Sequence, residues 1–231
     1  MRLVQDSKKQ DKENKVMATI ESAPLQVSKQ NLHEVEISIV GTSELIVHKF
    51  SAKAIKQIED IQAKKTKTKV KRNPKAEYED CFYRWAEGNM DAEKGDHVWD
   101  GKTTGVPAIA IKKAMVGACR QVDMPMTLAR QAFHVKGQVL KVENSKPFMR
   151  TDHVRIGNKQ TDVRYRPSYP QGWTVNVPIV YDADVVSLEQ LVNLIGRAGF
   201  SVGLCEHRPE KDGDKGTFTV DSSKTLEDKV I

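Results

Sequence analysis

Seven of the twelve residues from Lys64 to Lys75 are basic and none is acidic: Lys64, Lys65, Lys67, Lys69, Lys71, Arg72 and Lys75. Cations at that density neutralise phosphates and release counterions, a gain that needs charge but little fixed geometry. A second group, Arg150, Arg155, Arg164 and Arg166, is interleaved with Tyr165, Tyr169 and Trp173. Guanidinium groups for phosphates and aromatic faces for bases are what single-strand binders combine. A third group is His207, Arg208 and Lys211, in the glycine-bearing loop that starts at Gly199. That loop follows a helix C-terminus, where the macrodipole is negative and repels phosphate. Any anion contact there rests on loop amides and on those side chains.

Patterns for catalysis are thin. The histidines His33, His48, His97, His134, His153 and His207 show neither H-x-x-x-H nor H-E-x-x-H spacing, so no ready-made zinc site exists. There is no G-x-S-x-G, no C-x-x-C and no G-x-x-x-x-G-K-[ST]. Asp182 and Asp184 could hold Mg²⁺, but they read better as a polar connection between strand and helix. Asp152 and His153 are adjacent on a strand and therefore point to opposite faces. No catalytic residue, metal site or cofactor is assigned on this reading. Cys81, Cys119 and Cys205 are odd in number and far apart, which excludes a disulfide framework and implies a reducing compartment, the cytoplasm. No run approaches the roughly 18 to 20 apolar residues that span a bilayer, and the Lys/Gln/Asp-rich start has no apolar signal region, so no membrane partner is expected. The net charge of +6 favours an anionic partner because it is clustered.

The elements that must position these groups follow from hydrophobic period. Val35, Ile37 and Ile39 alternate with Glu36 and Ser38, predicting a strand over His33–Val40, and Leu45–His48 reads as a second, short strand. Ser51 can cap a helix carrying Ile55, Ile58 and Ile61. The lysine run that follows has no helical period and reads as a mobile loop. Tyr78, Phe82 and Trp85 at i, i+4, i+7 predict a helix over Lys75–Glu87, and Gly88–Thr104 reads as loop. Pro107 opens a helix with Ile111, Met115, Ala118, Cys119 and Val122 on one face, in a region that Pro125 ends. A strand is expected over Phe133–Val142 and a hairpin from Phe148–Ile156 and Thr161–Tyr165. Trp173–Tyr181 is a further strand. Ser187 and Gln190 form a capping box for a helix striped with Leu188, Leu191, Val192, Ile195 and Ala198, which Gly199 is expected to stop. Gly216–Val220 is the last strand.

With Gly105-Val106-Pro107-Ala108 opening a helix, Arg164-Tyr165-Arg166-Pro167 leading to Trp173, and Arg208-Pro209-Glu210-Lys211 closing the last loop, residues 33–221 resemble a family of bacteriophage proteins. More distantly they resemble the RAMP superfamily, which includes the backbone subunits of CRISPR effector complexes. The resemblance implies an α+β fold with a ferredoxin-like or RRM-like β-α-β-β-α-β core. It also implies binding of RNA or single-stranded DNA by subunits stacked along the strand. The loop reads Gly203-Leu204-Cys205-Glu206 rather than a dense glycine run, which departs from the family pattern.

The expected organisation is a disordered tail over residues 1–32, an α+β domain over 33–221 with an inserted basic loop (64–75) and an extra hairpin, and a C-terminal tail over 222–231. The expected activity is non-enzymatic binding of single-stranded nucleic acid, in phage replication, recombination or counter-defence within the cytoplasm of an infected bacterium. The contact residues are the three groups above together with Trp173, and the partners are nucleic acid, further copies of the chain, and a host or phage protein. Two alternatives stand beside it: a metal-independent RAMP-type endoribonuclease with His153 or His48 as base, and an inhibitor that binds a host defence complex. Replacing Lys65, Lys67, Lys69 and Lys71 by Ala is expected to weaken binding alike for all sequences. It should also flatten the plot of log K against log salt by about 0.7 per phosphate contact removed; an unchanged slope in a salt titration rejects the loop as a contact surface.

Overall fold

The strand that carries Val35, Ile37 and Ile39 forms as its alternation demands, and all three side chains are buried on one face. It is β1 (Leu32–Gly41), followed by β2 (Leu45–Ile46), α1 (Ala52–Gln62), α2 (Pro74–Glu79), β3 (Tyr83–Ala86), β4 (Met90–Asp91) and β5 (Thr104–Pro107). Then come α3 (Ala108–Ala118), α4 (Met126–Ala132), β6 (Phe133–Val135), β7 (Val139–Lys141), β8 (Phe148–Ile156) and β9 (Gln160–Tyr169). The last elements are β10 (Thr174–Asp182), α5 (Leu188–Ser201), β11 (Phe218–Val220) and β12 (Asp228–Val230). This computed structural model describes residues 27–50, 52–64, 72–156 and 160–231. The chain divides into a short unit, Met1–Gln30, and a second unit, Asn31–Ile231, that holds every element named here.

The architecture is mixed α/β with several antiparallel sheets. The main sheet has the order β11-β1-β10-β6, with β12 also paired to β1. β1 is antiparallel to both β10 and β11, so those two run parallel to each other on either side of it, with α5 between them in sequence. Val35 lies opposite Ile179, Ile37 opposite Val177 and Ile39 opposite Val175, which sets one continuous apolar face. Ile111, Met115 and Ala118 of α3 and Leu191, Ile195 and Ala198 of α5 join that face in the core. A second sheet runs β2-β9-β8 and a third β4-β3-β5-β7.

Several expectations from sequence are corrected. The helix foreseen over Lys75–Glu87 ends at Glu79, and Tyr83–Ala86 is a strand. Asn73 accepts hydrogen bonds from the Lys75 and Ala76 amides and Pro74 occupies the first turn, so α2 starts strongly, but Asp80 closes it. Tyr78 and Phe82 still meet, edge to face with centroids 5.0 Å apart, while Trp85 belongs to the next element. The Gly88–Thr104 loop contains β4 and leads into β5. Phe133–Val142 is two strands, because Gly137 has φ +88° where the chain crosses Asn89 so closely that a Cβ would lie 2.6 Å from that side chain. The end of the chain does not fray: Asp228–Val230 pairs with β1.

Gly199 does not stop α5, which runs on to Ser201. It is buried inside the helix, and a Cβ there would lie 2.0 Å from the Phe218 carbonyl oxygen of β11. The residue lets helix and strand touch. Gly199→Ala should therefore destabilise by about 1–3 kcal/mol through overpacking, despite the roughly 1 kcal/mol by which Ala is the better helix former. Chemical denaturation measures the balance.

Candidate functional site

The arginine hairpin forms as β8 and β9, paired from Phe148↔Ser168 to Ile156↔Gln160. Its inner arginines, however, face carboxylates. Arg166 is 1% exposed and donates from Nη2 to Asp152 Oδ2 at 2.6 Å and from Nη1 to Glu206 Oε2 at 3.1 Å. Nη2 also meets His207 Nε2 at 3.1 Å. Arg150 donates to Asp152 Oδ1 at 2.7 Å and to Glu44 Oε2 at 2.8 Å. The network ties the hairpin to the turn after β1 and to the loop after α5. Burial pushes the Asp152 carboxyl up, but hydrogen bonds from Arg150 and Arg166 outweigh it and hold it below the usual carboxylate range.

Two expected contact residues are thereby corrected. Arg166 cannot reach a phosphate because it is enclosed and neutralised. Trp173 is fully buried, donates its indole N–H to the Ser43 carbonyl at 2.8 Å and packs against Gly41 and Phe218, so its ring is a core element and not a stacking face. Arg72 is also engaged: it pairs with Glu77 and Asp162 at 2.8 and 2.7 Å. Arg164 is half-buried, with Asp162 at 4.0 Å. Arg155, Lys75, Lys64 and Lys211 are exposed, and Arg208 is half-buried. Lys65, Lys67, Lys69 and Lys71 lie outside the described residues, as does the proposed Ser51 cap. Of the two histidines weighed as a base, His153 stands exposed on β8 opposite Val163.

His48 is elsewhere, in a cleft of about 620 Å³ along α3. With Ile111, Met115 and Ala118 turned to the core, α3 presents Ile109, Lys112 and Lys113 to the cleft, and Arg120 follows just past its end. Arg130 of α4 and Arg208 add two more cations. The opposite wall is the loop Val202–Glu210, where Cys205 and His207 both have positive φ, +61° and +51°. An antiparallel bridge between Ile46 and Glu206 anchors that loop and brings His48 within 3.9 Å of Glu206. Five basic side chains thus line the cleft against two carboxylates, Glu206 and Glu210. Both carboxylates are already engaged: Glu206 by Arg166, and Glu210 by Arg208 at 2.9 Å and Arg120 at 3.5 Å. Lys113 and Arg130 have no ion-pair partner among the described residues. Lys112 donates to the Arg130 carbonyl at 2.9 Å, and burial lowers its pKa.

Burial lowers the His48 pKa, against the raising influence of Glu206, so the imidazole is neutral at physiological pH. Burial pushes the Cys205 thiol up to about 12, which removes it as a nucleophile. Among the described residues no three His, Cys, Asp or Glu side chains are grouped to hold a metal ion, and no described helix is long and apolar enough to cross a membrane. Lys112, Lys113, Arg120 and Arg130 were missed from sequence. A signal existed for the two lysines: Lys112 and Lys113 fall on the polar side of the helix whose apolar stripe was recognised at Ile111 and Met115, whereas Arg120 follows that helix and Arg130 lies on α4.

No family model matches the chain, and no curated protein does. Among solved structures it is similar to a chain of the Type III-B Cmr-beta bound to cognate target RNA, studied by cryo-EM. That likeness has a TM-score of 0.47 and 10% identity, and covers 100% of this chain and 68% of the other.

Arg166→Ala leaves Asp152 with Arg150 alone and returns the part-exposed Glu206 to water, and should cost about 1.5–3 kcal/mol, the range for hydrogen bonds to charged groups. The pH dependence has two parts. Asp152 has a folded pKa below its unfolded value of about 3.9, so its contribution is complete at neutral pH and is lost as pH falls below about 4. His48 has a folded pKa below the unfolded value of about 6.5, so stability also declines as pH falls beneath that. In denaturation curves across pH, Asp152→Asn should flatten the lower limb and His48→Gln the upper one.

Proposed function

We propose that the chain is a non-enzymatic nucleic-acid-binding protein of RAMP-like build that receives a single strand, RNA or DNA, in the cleft beside α3. The observation that carries this reading is the gathering of Lys112, Lys113, Arg120, Arg130 and Arg208 from three separate segments around one cleft whose two carboxylates are already engaged. Such a surplus of fixed positive charge attracts and positions a phosphate backbone. Phe200, 83% exposed at the end of α5 and two residues before Val202 of the cleft wall, offers a ring on which a base can stack.

The sheet order β11-β1-β10-β6, with α3 before β6 and α5 between β10 and β11, supports a ferredoxin-like core in which β2 to β5 and β7 to β9 are insertions. Within that core the open face of the sheet argues against RRM-like use. It carries Glu34, Glu36 and Asn176 where an RRM displays aromatic rings for stacking, and Ser38 beside them is covered by Lys224. The cleft, on the helical side, is the better surface. Side-by-side binding of several copies along one strand belongs to the same reading.

A second reading has one observation in its favour. His48 lines the cleft and is held neutral beside Glu206, as a general base for metal-free RNA cleavage must be. One set of measurements separates the two. Lys113→Ala/Arg120→Ala/Arg130→Ala should weaken binding of labelled single strands and lower the slope of log K against log salt by roughly 2 in all, at about 0.7 per contact. Binding that keeps its full salt slope in this variant rejects the cleft. Labelled RNA incubated with the wild type in EDTA should remain intact; cleavage that His48→Ala abolishes would instead establish the enzyme.

A further inference from the structure

Among the described residues β8 is the one long strand at a sheet margin. It pairs only with β9 and has nine residues, whereas the other marginal strands, β2, β4, β6, β7, β11 and β12, have two or three each. Short margins are one way in which sheets avoid pairing with other chains. β8 lacks that protection, contains no proline, and keeps a one-to-one register with β9 that leaves no bulge. Phe148 and Met149 at its start are 46% and 49% exposed.

The direction of its free backbone groups follows from β9. Val47 donates to the Pro167 carbonyl, the Cys81 thiol to that of Tyr165 and Arg72 to that of Val163, so these β9 residues turn their backbone away from β8. Their partners Met149, Thr151 and His153 therefore occupy non-hydrogen-bonded positions and turn their own N–H and C=O outward. No backbone hydrogen bond reaches those groups among the described residues.

The residues of β8 decide what fits there. An identical strand laid antiparallel meets it about a twofold axis, and outward groups match outward groups when that axis passes through a residue. An axis at Arg150 or Asp152 sets like charge against like, which is unfavourable in a cross-strand pair. An axis at His153 leaves Phe148 and Met149 opposite residues beyond the end of β8. An axis at Thr151 places Arg150 opposite Asp152, Phe148 opposite Val154, Met149 opposite His153, and Thr151 opposite itself. Arg150 and Asp152 are already paired within each copy, so the two ion pairs join as one alternating group. Arg155 falls opposite Pro147, whose missing N–H ends the ladder.

We propose that the chain forms a closed dimer in which β8 pairs with β8 of a second copy about a twofold axis at Thr151, fusing two β2-β9-β8 sheets into one. The contact is isologous and consumes both free edges, so assembly stops at two copies. None of the paired residues lines the cleft, and the pairing needs no nucleic acid.

Sedimentation equilibrium on the full chain, freed of nucleic acid by nuclease, tests the proposal together with crosslinking. The wild-type mass should rise with concentration from 26.0 kDa to a plateau at twice that value. Thr151→Pro removes an outward N–H without touching the β8–β9 ladder, a position where an edge strand tolerates proline. It should remain monomeric with an unchanged far-UV circular dichroism spectrum. Thr151→Cys sets two thiols at the axis, with Cα atoms about 5.5 Å apart, within disulfide reach. Under mild oxidant it should give a crosslinked dimer on a non-reducing gel. Arg155→Cys, roughly 25 Å from its own copy in this register, should match the wild type. A wild type that stays monomeric or grows beyond a dimer overturns the proposal. So does a folded Thr151→Pro that still dimerises. Should Thr151→Pro unfold, the crosslink decides: Thr151→Cys that links no better than Arg155→Cys overturns it equally.

Discussion

A guanidinium cut off from water must be satisfied by protein groups, and Arg166 meets that requirement by drawing three distant segments together. Asp152 comes from the partner strand of its hairpin, Glu206 from the loop after α5, and through Arg150 the network extends to Glu44 in the turn after β1. Its Nε is buried with no hydrogen-bond partner among the described residues, so the arrangement is held by the two Nη atoms alone. Each carboxylate that neutralises Arg166 is thereby fixed in place. Fixing Glu206 fixes the wall of the cleft, and with it the neighbourhood of His48. The site's geometry depends on this pairing more than on any contact within the cleft.

Much of the fold was legible because its signals are local. Ser187 and Gln190 form the capping box they spell, and β1 and β10 bury every second residue as their alternation requires. The hairpin was legible for the same reason. What failed was any inference in which one residue type served two purposes. Tyr78, Phe82 and Trp85 have helical spacing, yet they divide between α2, the link after it and β3. Gly199 looks like a stop and is instead the point where α5 touches β11.

The site was less legible, and charge explains why. Arg150 and Arg166 look alike in sequence to Arg130, but the first two find acids in the fold and the last does not. Pairing at a distance in sequence, as from Arg150 to Glu44 and from Arg166 to Glu206, leaves no local mark. Composition therefore overstates the cationic surface of the hairpin and understates that of α3, where lysines sit behind a helix recognised only for its apolar side. Trp173 illustrates the same limit for aromatic rings, since a strand that alternates well must bury one of its faces.

The place of β1 between β10 and β11 also has a consequence for how the chain is made. Once β1 has left the ribosome, its first sheet neighbour follows roughly 130 residues later, some ten seconds of synthesis at 5–20 residues per second. Until then Val35, Ile37 and Ile39 have no strand beside them, and β11 completes the other edge later still. Contacts of such long sequence separation fold slowly. A nascent chain of this protein carries an unpaired apolar strand throughout the synthesis of residues 42–173, an interval in which that strand needs shielding from other chains.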